Sequence, residues 1–515
     1  MKKASTFIVF IVTVFCILQP MTVFAQKVEL GYEGGISSGT KDEKTPLEYS
    51  EVCFLTGEPI VFSGTVSVKK TTKQDTTNAT YTYNLKNIER SATLTRSMSY
   101  NIRTVKTEKG QIIEELSLSR NPSETIRINN DIYVLRNYEF SNSEIIDKRP
   151  AIDYSAGNMW GRKTYQAGNA NNGGTVTVEI TGKIFGYDHY WGNTETAILN
   201  YEINSERKNG DILDRWGGNA KVIISSSIIK EIKFMKNIPE QISFEGGYVR
   251  TYNNSSMLEY YCCLPEFDSK GISNYRMVET RDILKLEALP EQTRLPVYDL
   301  SYLRGHWAEK EINILHSLGV FNDKEKKFNP EAFITRGEFI AALVEVFWDN
   351  SINPSINERI TASGSTRTRR GKDKAEEIIS PYKDIPTDHR YFPQIGKAHK
   401  NGLVTGRGQD IFAPEDTISL AEIMVIFVRA LGLEDLAPNP YAITSFQDDI
   451  SIPAYARNAI YAADRMGLIE GDNRGYLKPD EKITKAKAAI LLNNFITYMR
   501  EGIRKDYQEC IIGFN

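Results

Sequence analysis

The sequence predicts a multidomain chain whose first half is all-β and whose second half is all-α, and three observations carry that prediction. From Gln26 to about Pro290 apolar residues alternate with polar ones, and no amphipathic helix interrupts them. Near Arg294 the period changes from two to about 3.6 and stays helical to the end. Between about Tyr298 and Tyr498 one pattern is written three times, and such self-similarity outranks any single motif. A chain of 515 residues exceeds one ordinary domain, and 63 basic against 66 acidic residues give no reason to expect nucleic acid as a partner.

At the N-terminus, Lys2 and Lys3 precede an apolar run from Phe7 to Leu18 and a Val23-Phe24-Ala25 ending. Residues 1–25 therefore read as a secretory signal peptide cleaved after Ala25, the run being short for a membrane span. Thr13-Val14-Phe15 before Cys16 lacks the small residues of a lipoprotein signal. No later stretch is long and apolar enough to cross a bilayer, so an exported protein with no membrane segment after cleavage is expected.

Residues 26–290 form the β-rich region. Ile60 to Val68, Thr80 to Tyr83, Thr175 to Ile180 and Lys221 to Ile224 are rich in β-branched and aromatic residues and bounded by Gly, Asn and Asp. Ser97 to Leu118 reads as a hairpin turning at Glu108-Lys109-Gly110. Many short strands without helices favour a sandwich-like fold, with Asp147 to Asn172 as a seam or long surface loop and Glu266 to Pro296 as the connection onward. The four cysteines after the signal, Cys53, Cys262, Cys263 and Cys510, are too few for a disulfide scaffold, and their pairing stays open. Without a C-x-x-C spacing, and with His189 the only histidine before the repeats, no metal and no cofactor is expected.

His189 lies in Tyr187-Asp188-His189-Tyr190-Trp191, which either stacks on a sugar or packs in a core. Asp153, Asp188, Glu195 and Asp214 are the carboxylates a glycoside hydrolase would need, but that chemistry requires a pair at a set separation. No nucleophile-elbow motif accompanies them, so no catalytic residue is assigned.

The repeats occupy residues 291–348, 381–436 and 437–500, with an insertion at 349–380 and a tail at 501–515. Each copy places an isoleucine seven residues before a Gly-apolar pair, at Ile312 and Gly319-Val320, Ile395 and Gly402-Leu403, Ile460 and Gly467-Leu468. An apolar-x-Pro follows, at Phe328, Phe412 and Leu477, and a second helix opens near Thr335, Ser419 and Thr484. Thr335 with Glu338, and Ser419 with Glu422, are spaced as capping boxes, worth on the order of 1 kcal/mol each. Thr484 is followed by Lys487, so that box is incomplete. Arg336 and Lys485 place a cation in the first helical turn against the helix dipole, which suits an anion site built with free backbone N–H groups. Leu420 carries no charge at the same position, and a groove fed by it should be weak. The insertion, with Arg367, Arg369, Arg370 and Lys372, has no apolar periodicity and reads as an exposed mobile loop, either merely solvated or touching an anionic polymer. Ile511-Ile512 is expected to dock on the repeats.

The recurring aromatic-Ala, Gly-apolar, Phe-x-Pro and Ile-Thr-Arg-x-Glu pattern resembles the S-layer homology domain, most closely at His306-Trp307-Ala308-Glu309 and Ile334-Thr335-Arg336-Gly337-Glu338. The resemblance covers about the last two-fifths of the chain. It implies a pseudo-threefold helical trimer of repeats whose grooves bind secondary cell-wall polysaccharide, often pyruvylated, on a Gram-positive surface. It further implies self-assembly in a surface layer. Carried residue by residue, it assigns polymer binding to Arg336, Lys485, Thr335, Thr484, Trp307 and Tyr455, with Tyr391 less exactly aligned. The departures are Leu420 for the base, Lys487 for the acid and Gly337 for alanine. Two readings of the β half follow: a binding or structural domain held to the wall, or a wall-anchored hydrolase of polysaccharide.

Overall fold

The computed structural model describes residues 34–38, 46–73, 75–108, 110–168, 173–209, 212–236, 246–269, 271–321, 327–347, 380–438 and 441–509. The signal segment, nearly all of the insertion, Cys510 and Ile511-Ile512 lie outside the described residues.

The β half is one antiparallel meander of β1 (Gly35–Ser37), β2 (Leu47–Cys53), β3 (Ile60–Lys73), β4 (Thr76–Asn87), β5 (Ala92–Lys106), β6 (Ile112–Leu118), β7 (Ser123–Ile128), β8 (Asp131–Lys148), β9 (Ile152–Ala167), β10 (Gly174–His189), β11 (Gly192–Asn209), β12 (Ile212–Met235), β13 (Gly247–Phe267), β14 (Ser273–Glu287) and β15 (Glu291–Arg294). Consecutive strands pair, except that β6 and β7 lie end to end between β5 and β8, each pairing with both, and β15 pairs with β13 beyond the end of β14. The hairpin at residues 107–111 is present, with Lys106 opposite Ile112. The stretch read as a loop or seam is mostly the strand β9, whose Tyr165 and Met159 face the core and pair it to β8 and β10 on both sides. The sheet also runs on to Arg294, past the expected limit at residue 290, because Glu291–Arg294 completes the ladder of β13. Gly and Asn in β9 suggested a break, but a strand paired on both edges tolerates them.

A sandwich was the expectation, and one sheet instead supplies both walls of the core. Phe54, just after β2, lies 5.7 Å from the Tyr201 ring of β11 and 5.9 Å from the Tyr260 ring of β13. The Ser256 hydroxyl of β13 donates to the Ser37 carbonyl of β1 at 2.9 Å. A period of two states which face is buried, not how many sheets share the core. Inside this rolled sheet sits a charged cluster. Arg96 of β5 donates to both carboxylate oxygens of Glu51 at 2.7 Å and to Glu124 at 2.8 Å, while Lys163 donates to Glu124 at 3.0 Å. All four side chains are at most 5% exposed, so the balance of two cations and two anions is what makes their burial tolerable. Cys53, Cys262 and Cys263 are free thiols.

The second half contributes α1 (Glu309–Ser317), α2 (Arg336–Phe347), α3 (Phe392–Lys400), α4 (Leu420–Leu431), α5 (Arg457–Arg465), α6 (Lys485–Thr497) and, after a π-turn at Tyr498–Gly502, α7 (Ile503–Tyr507). Gly319, Gly402 and Gly467 end the first helix of each copy at positive φ of 76°, 72° and 66°, which explains the invariant glycine of the pattern. Phe427 of α4 packs in tilted contact with Phe339 of α2 at 6.0 Å and with Phe495 of α6 at 4.4 Å, joining the second helices of the three copies. At the helix starts, the Ile334 N–H donates to the Ile483 carbonyl at 2.9 Å, Ile483 to Ile418 at 3.2 Å, and Ile418 to Ile334 at 3.4 Å. These bonds close a ring through the three copies. The proline of each apolar-x-Pro serves the neighbouring copy: Pro414, Pro479 and Pro330 carbonyls accept from Gly337, Ala421 and Ala486 N–H groups at 2.8, 2.9 and 2.9 Å. Among the described residues no helix is long and apolar enough to cross a membrane.

The two halves share a core. Ala151, Ile152, Tyr187, Tyr190 and Trp191 from the sheet are buried in the same cluster as the helices. The Ala151 N–H donates to Ala430 at 2.9 Å, the Tyr154 hydroxyl to Leu431 at 3.2 Å, and Arg500 to the Lys230 carbonyl at 2.8 Å. The aromatic cluster around His189 is therefore the junction, and its core reading is the one realised. Trp191 is 1% exposed and offers no face to a sugar.

Candidate functional site

The backbone donors at the helix starts are all engaged. The Arg336, Leu420 and Lys485 N–H groups donate to the Asp416, Glu481 and Ala332 carbonyls of the neighbouring copy at 2.8, 3.1 and 2.8 Å. The next residue of each helix bonds the neighbouring proline carbonyl, and the third is held by the cap: Glu338 by Thr335 at 3.2 Å, Glu422 by Ser419 at 3.3 Å, Lys487 by Thr484 at 3.3 Å. Both capping boxes close, since Thr335 and Ser419 N–H donate back to Glu338 and Glu422 at 3.1 and 2.9 Å. The expected anion site with free N–H groups is thus corrected: neighbouring carbonyls occupy them. Thr335 and Thr484 act as caps.

The cations go elsewhere. Lys485 reaches the Glu338 carboxylate of the first copy at 2.9 Å, and Arg336 reaches Glu422 of the second at 3.3 Å. Each base of one copy thus meets the capping acid of another. In the remaining interface Leu420 and Lys487 stand at the two corresponding positions, so the two departures are both halves of one missing pair.

The two pairs differ in access. Arg336 is 7% exposed, also donates to the Thr405 carbonyl at 3.0 Å, and lies over the Phe412 ring at 4.8 Å. Burial pulls its pKa below the usual arginine range, and Arg407, 2.7 Å from Glu422, neutralises the same carboxylate. Tyr455, exposed, borders this Glu422 site, and burial with the nearby carboxylate raises its phenol pKa. Lys485 instead lines an open groove of about 320 Å³. Phe321 and Phe328 of the first copy, Glu338 and Glu345 of α2, and Arg390 and Tyr391 of the second copy share it. The Arg390 guanidinium covers the Tyr391 ring at 5.1 Å. Trp307 is 60% exposed and stacks on His306 at 5.3 Å, outside the residues lining this groove.

Tyr391 is the aromatic that the resemblance aligned less exactly, whereas Arg390 and Glu345 were not singled out in the sequence; Gly337 is the signal that points to this corner. A Cβ at Gly337 would stand 2.9 Å from the Tyr391 ring and 3.0 Å from the Pro414 carbonyl. The glycine is what lets the ring close the groove floor. Gly337→Val is expected to lower stability by about 1–3 kcal/mol, although glycine is normally unfavourable in a helix. Urea unfolding midpoints check this, and an unchanged or raised midpoint would sink the packing role.

Among the described residues, the four carboxylates singled out in the β half do not share one cavity. Asp153, Asp188 and Glu195 line one small cavity of about 80 Å³. Asp214 lies apart and accepts from the Ser273 N–H at 3.3 Å.

Comparison with known proteins agrees with the repeats. Residues 303–340, 381–424 and 445–489 match the S-layer homology domain, so the chain carries three such repeats at its C-terminal end. It is 24% identical over 199 residues to an amylopullulanase of Thermoanaerobacterium thermosulfurigenes, covering 38% of this chain and 9% of that protein. It is 24% identical over 192 residues to exoglucanase XynX of Acetivibrio thermocellus, covering 37% and 15%. It is 28% identical over 122 residues to S-layer protein EA1 of Bacillus anthracis, covering 22% and 14%. The chain spans less than a sixth of each of these relatives.

Proposed function

We propose that this chain, a secreted protein of the cell-wall surface carrying three S-layer homology repeats, grips an acidic wall polysaccharide through the groove of Lys485 and Tyr391 and displays its β half without catalysing a reaction. The repeats act as a pseudo-threefold trimer, as the ring of Ile334, Ile418 and Ile483 supports. One observation carries the assignment: Lys485 and Arg390 sit beside the Tyr391 ring in an open groove, the combination that receives a sugar ring bearing a carboxylate such as a pyruvate ketal. Arg336 serves the same family motif as a buried strut between copies. Thr335 and Thr484 support the site as caps, while Tyr455, beside Glu422, and Trp307 offer exposed aromatic faces outside this groove. The alternative, a wall-anchored polysaccharide hydrolase, is supported by relatives named for such enzymes, but the cavity holding Asp153, Asp188 and Glu195 is small, about 80 Å³, and Asp214 lies apart from it.

The test is cosedimentation of the full chain with purified Gram-positive cell walls, before and after extraction of the wall polysaccharide. Binding is expected to vanish on extraction, and Lys485→Glu to weaken it about tenfold or more, the scale of one charge-assisted hydrogen bond. Binding that survives extraction, or that ignores Lys485→Glu, would overturn the assignment.

A further inference from the structure

The sheet that rolls over itself ends on β14, a strand of 15 residues that, among the described residues, pairs on one side only, with β13. Its outward residues are unusually apolar for an edge: Met277, Val278 and Ile283 are each more than 40% exposed. Long exposed edges recruit other strands, and proteins blunt them with charge. Here the charges alternate in sign, as Arg276, Glu279, Arg281 and Asp282. Mixed signs forbid some registers and favour others.

We propose that β14 is a self-association surface whose occupant is β14 of a second copy of this chain, paired antiparallel about a twofold axis through Thr280. Thr280 is the midpoint of Ser273–Glu287, so this register overlaps the two strands along their whole length. It sets Glu279 opposite Arg281 of the other copy, twice by symmetry. On the same face Met277 meets Ile283, again twice. No like charges face each other. The neighbouring registers that keep the same faces together put Glu279 on Glu279 or Arg281 on Arg281 at the axis, and both are repulsive. The fully overlapped register is therefore also the charge-complementary one. This agreement of strand length, charge order and apolar pairing is what separates a specific partner from an edge that merely resists aggregation. The association needs no wall polymer and stands apart from the anchoring reading.

Sedimentation velocity of the full chain in solution, from micromolar to several hundred micromolar, is expected to show a monomer–dimer equilibrium. Arg281→Glu, which sets a glutamate against Glu279 of the other copy twice by symmetry, is expected to weaken the dimer about tenfold. Glu279→Arg combined with Arg281→Glu restores the complementarity and is expected to recover it, a rescue that loss of the Arg281 contact to Glu259 alone would not give. Thr280 pairs with itself, within reach of a disulfide, so Thr280→Cys is expected to yield a covalent dimer on mild oxidation that the parent, with its own cysteines, does not. Glu287→Cys, facing Ser273, is expected to yield none. A monomer at all concentrations would overturn the proposal, and so would a dimer indifferent to Arg281→Glu, or equal cross-linking of both cysteine variants.

Discussion

Glu124→Ala is expected to destabilise the β half by about 3–5 kcal/mol, the cost of removing one member of a buried ionic cluster. Glu124 accepts from both Arg96 and Lys163 with its own side chain fully enclosed. Those two cations hold its carboxyl down to about 2 despite the opposing effect of burial. After the substitution Glu51 still grips Arg96, but Lys163 loses the Glu124 carboxylate while its ammonium stays buried over the Tyr138 ring at 4.9 Å. Glu124→Gln should lose nearly as much, since it keeps the shape and removes the charge. Urea unfolding followed by tryptophan fluorescence reads both. A loss under about 1 kcal/mol for either variant would mean that the cluster is hydrated and contributes as an ordinary surface pair does.

Acid is expected to loosen the junction between the halves before it reaches this cluster. His189 is buried, stacked on Tyr187 at 5.4 Å, and its pKa is lowered to about 3 by burial and the neighbouring Lys230. Its Nδ1 accepts from the Trp191 N–H at 3.1 Å, and its Nε2 has no partner among the described residues. A folded pKa below the unfolded value of 6.5 means that the unfolded chain takes up the proton first as pH falls. The stability held by neutral His189 is complete above about pH 6.5 and drains away toward pH 3, at about 1.4 kcal/mol per unit. Glu124 has the same sign over a lower window, present above 4.5 and lost toward about 2. Thermal melts between pH 7.5 and 4 should therefore fall first by the His189 contribution, on the order of 3 kcal/mol by pH 4.5. His189→Phe keeps the stacking and removes the titration, so its melts should be flat between pH 6.5 and 4.5. A variant that tracks the parent there would assign the acid limb to other groups.

The class of each half was legible because it rests on local periodicity. The helix starts were legible too, since Thr335, Ser419 and Thr484 cap their helices as spaced. What the sequence hid is what happens between copies. Nothing in Ile334-Thr335-Arg336 says that the N–H groups beyond the cap would be taken by a neighbour's carbonyls, or that Arg336 would be enclosed while Lys485 stays in an open groove. Composition likewise could not separate a rolled sheet from a sandwich. The aromatic run at Tyr187 to Trp191 looked the same whether it faced a sugar or the helices. Its role is decided by where the β10–β11 turn points, a property of the whole sheet.

The positions of junction and groove give the protein a line of force. The sheet joins the helical half at Ala430, Leu431 and Gly432, the far end of α4, and at Arg500 beyond α6. Lys485 and Glu338 lie at the opposite ends, where α6 and α2 begin. Drag on the exposed half would thus be transmitted lengthwise along helices of about 18 Å. Three helices laced together at one ring would share that tension in shear, with no single hinge to peel.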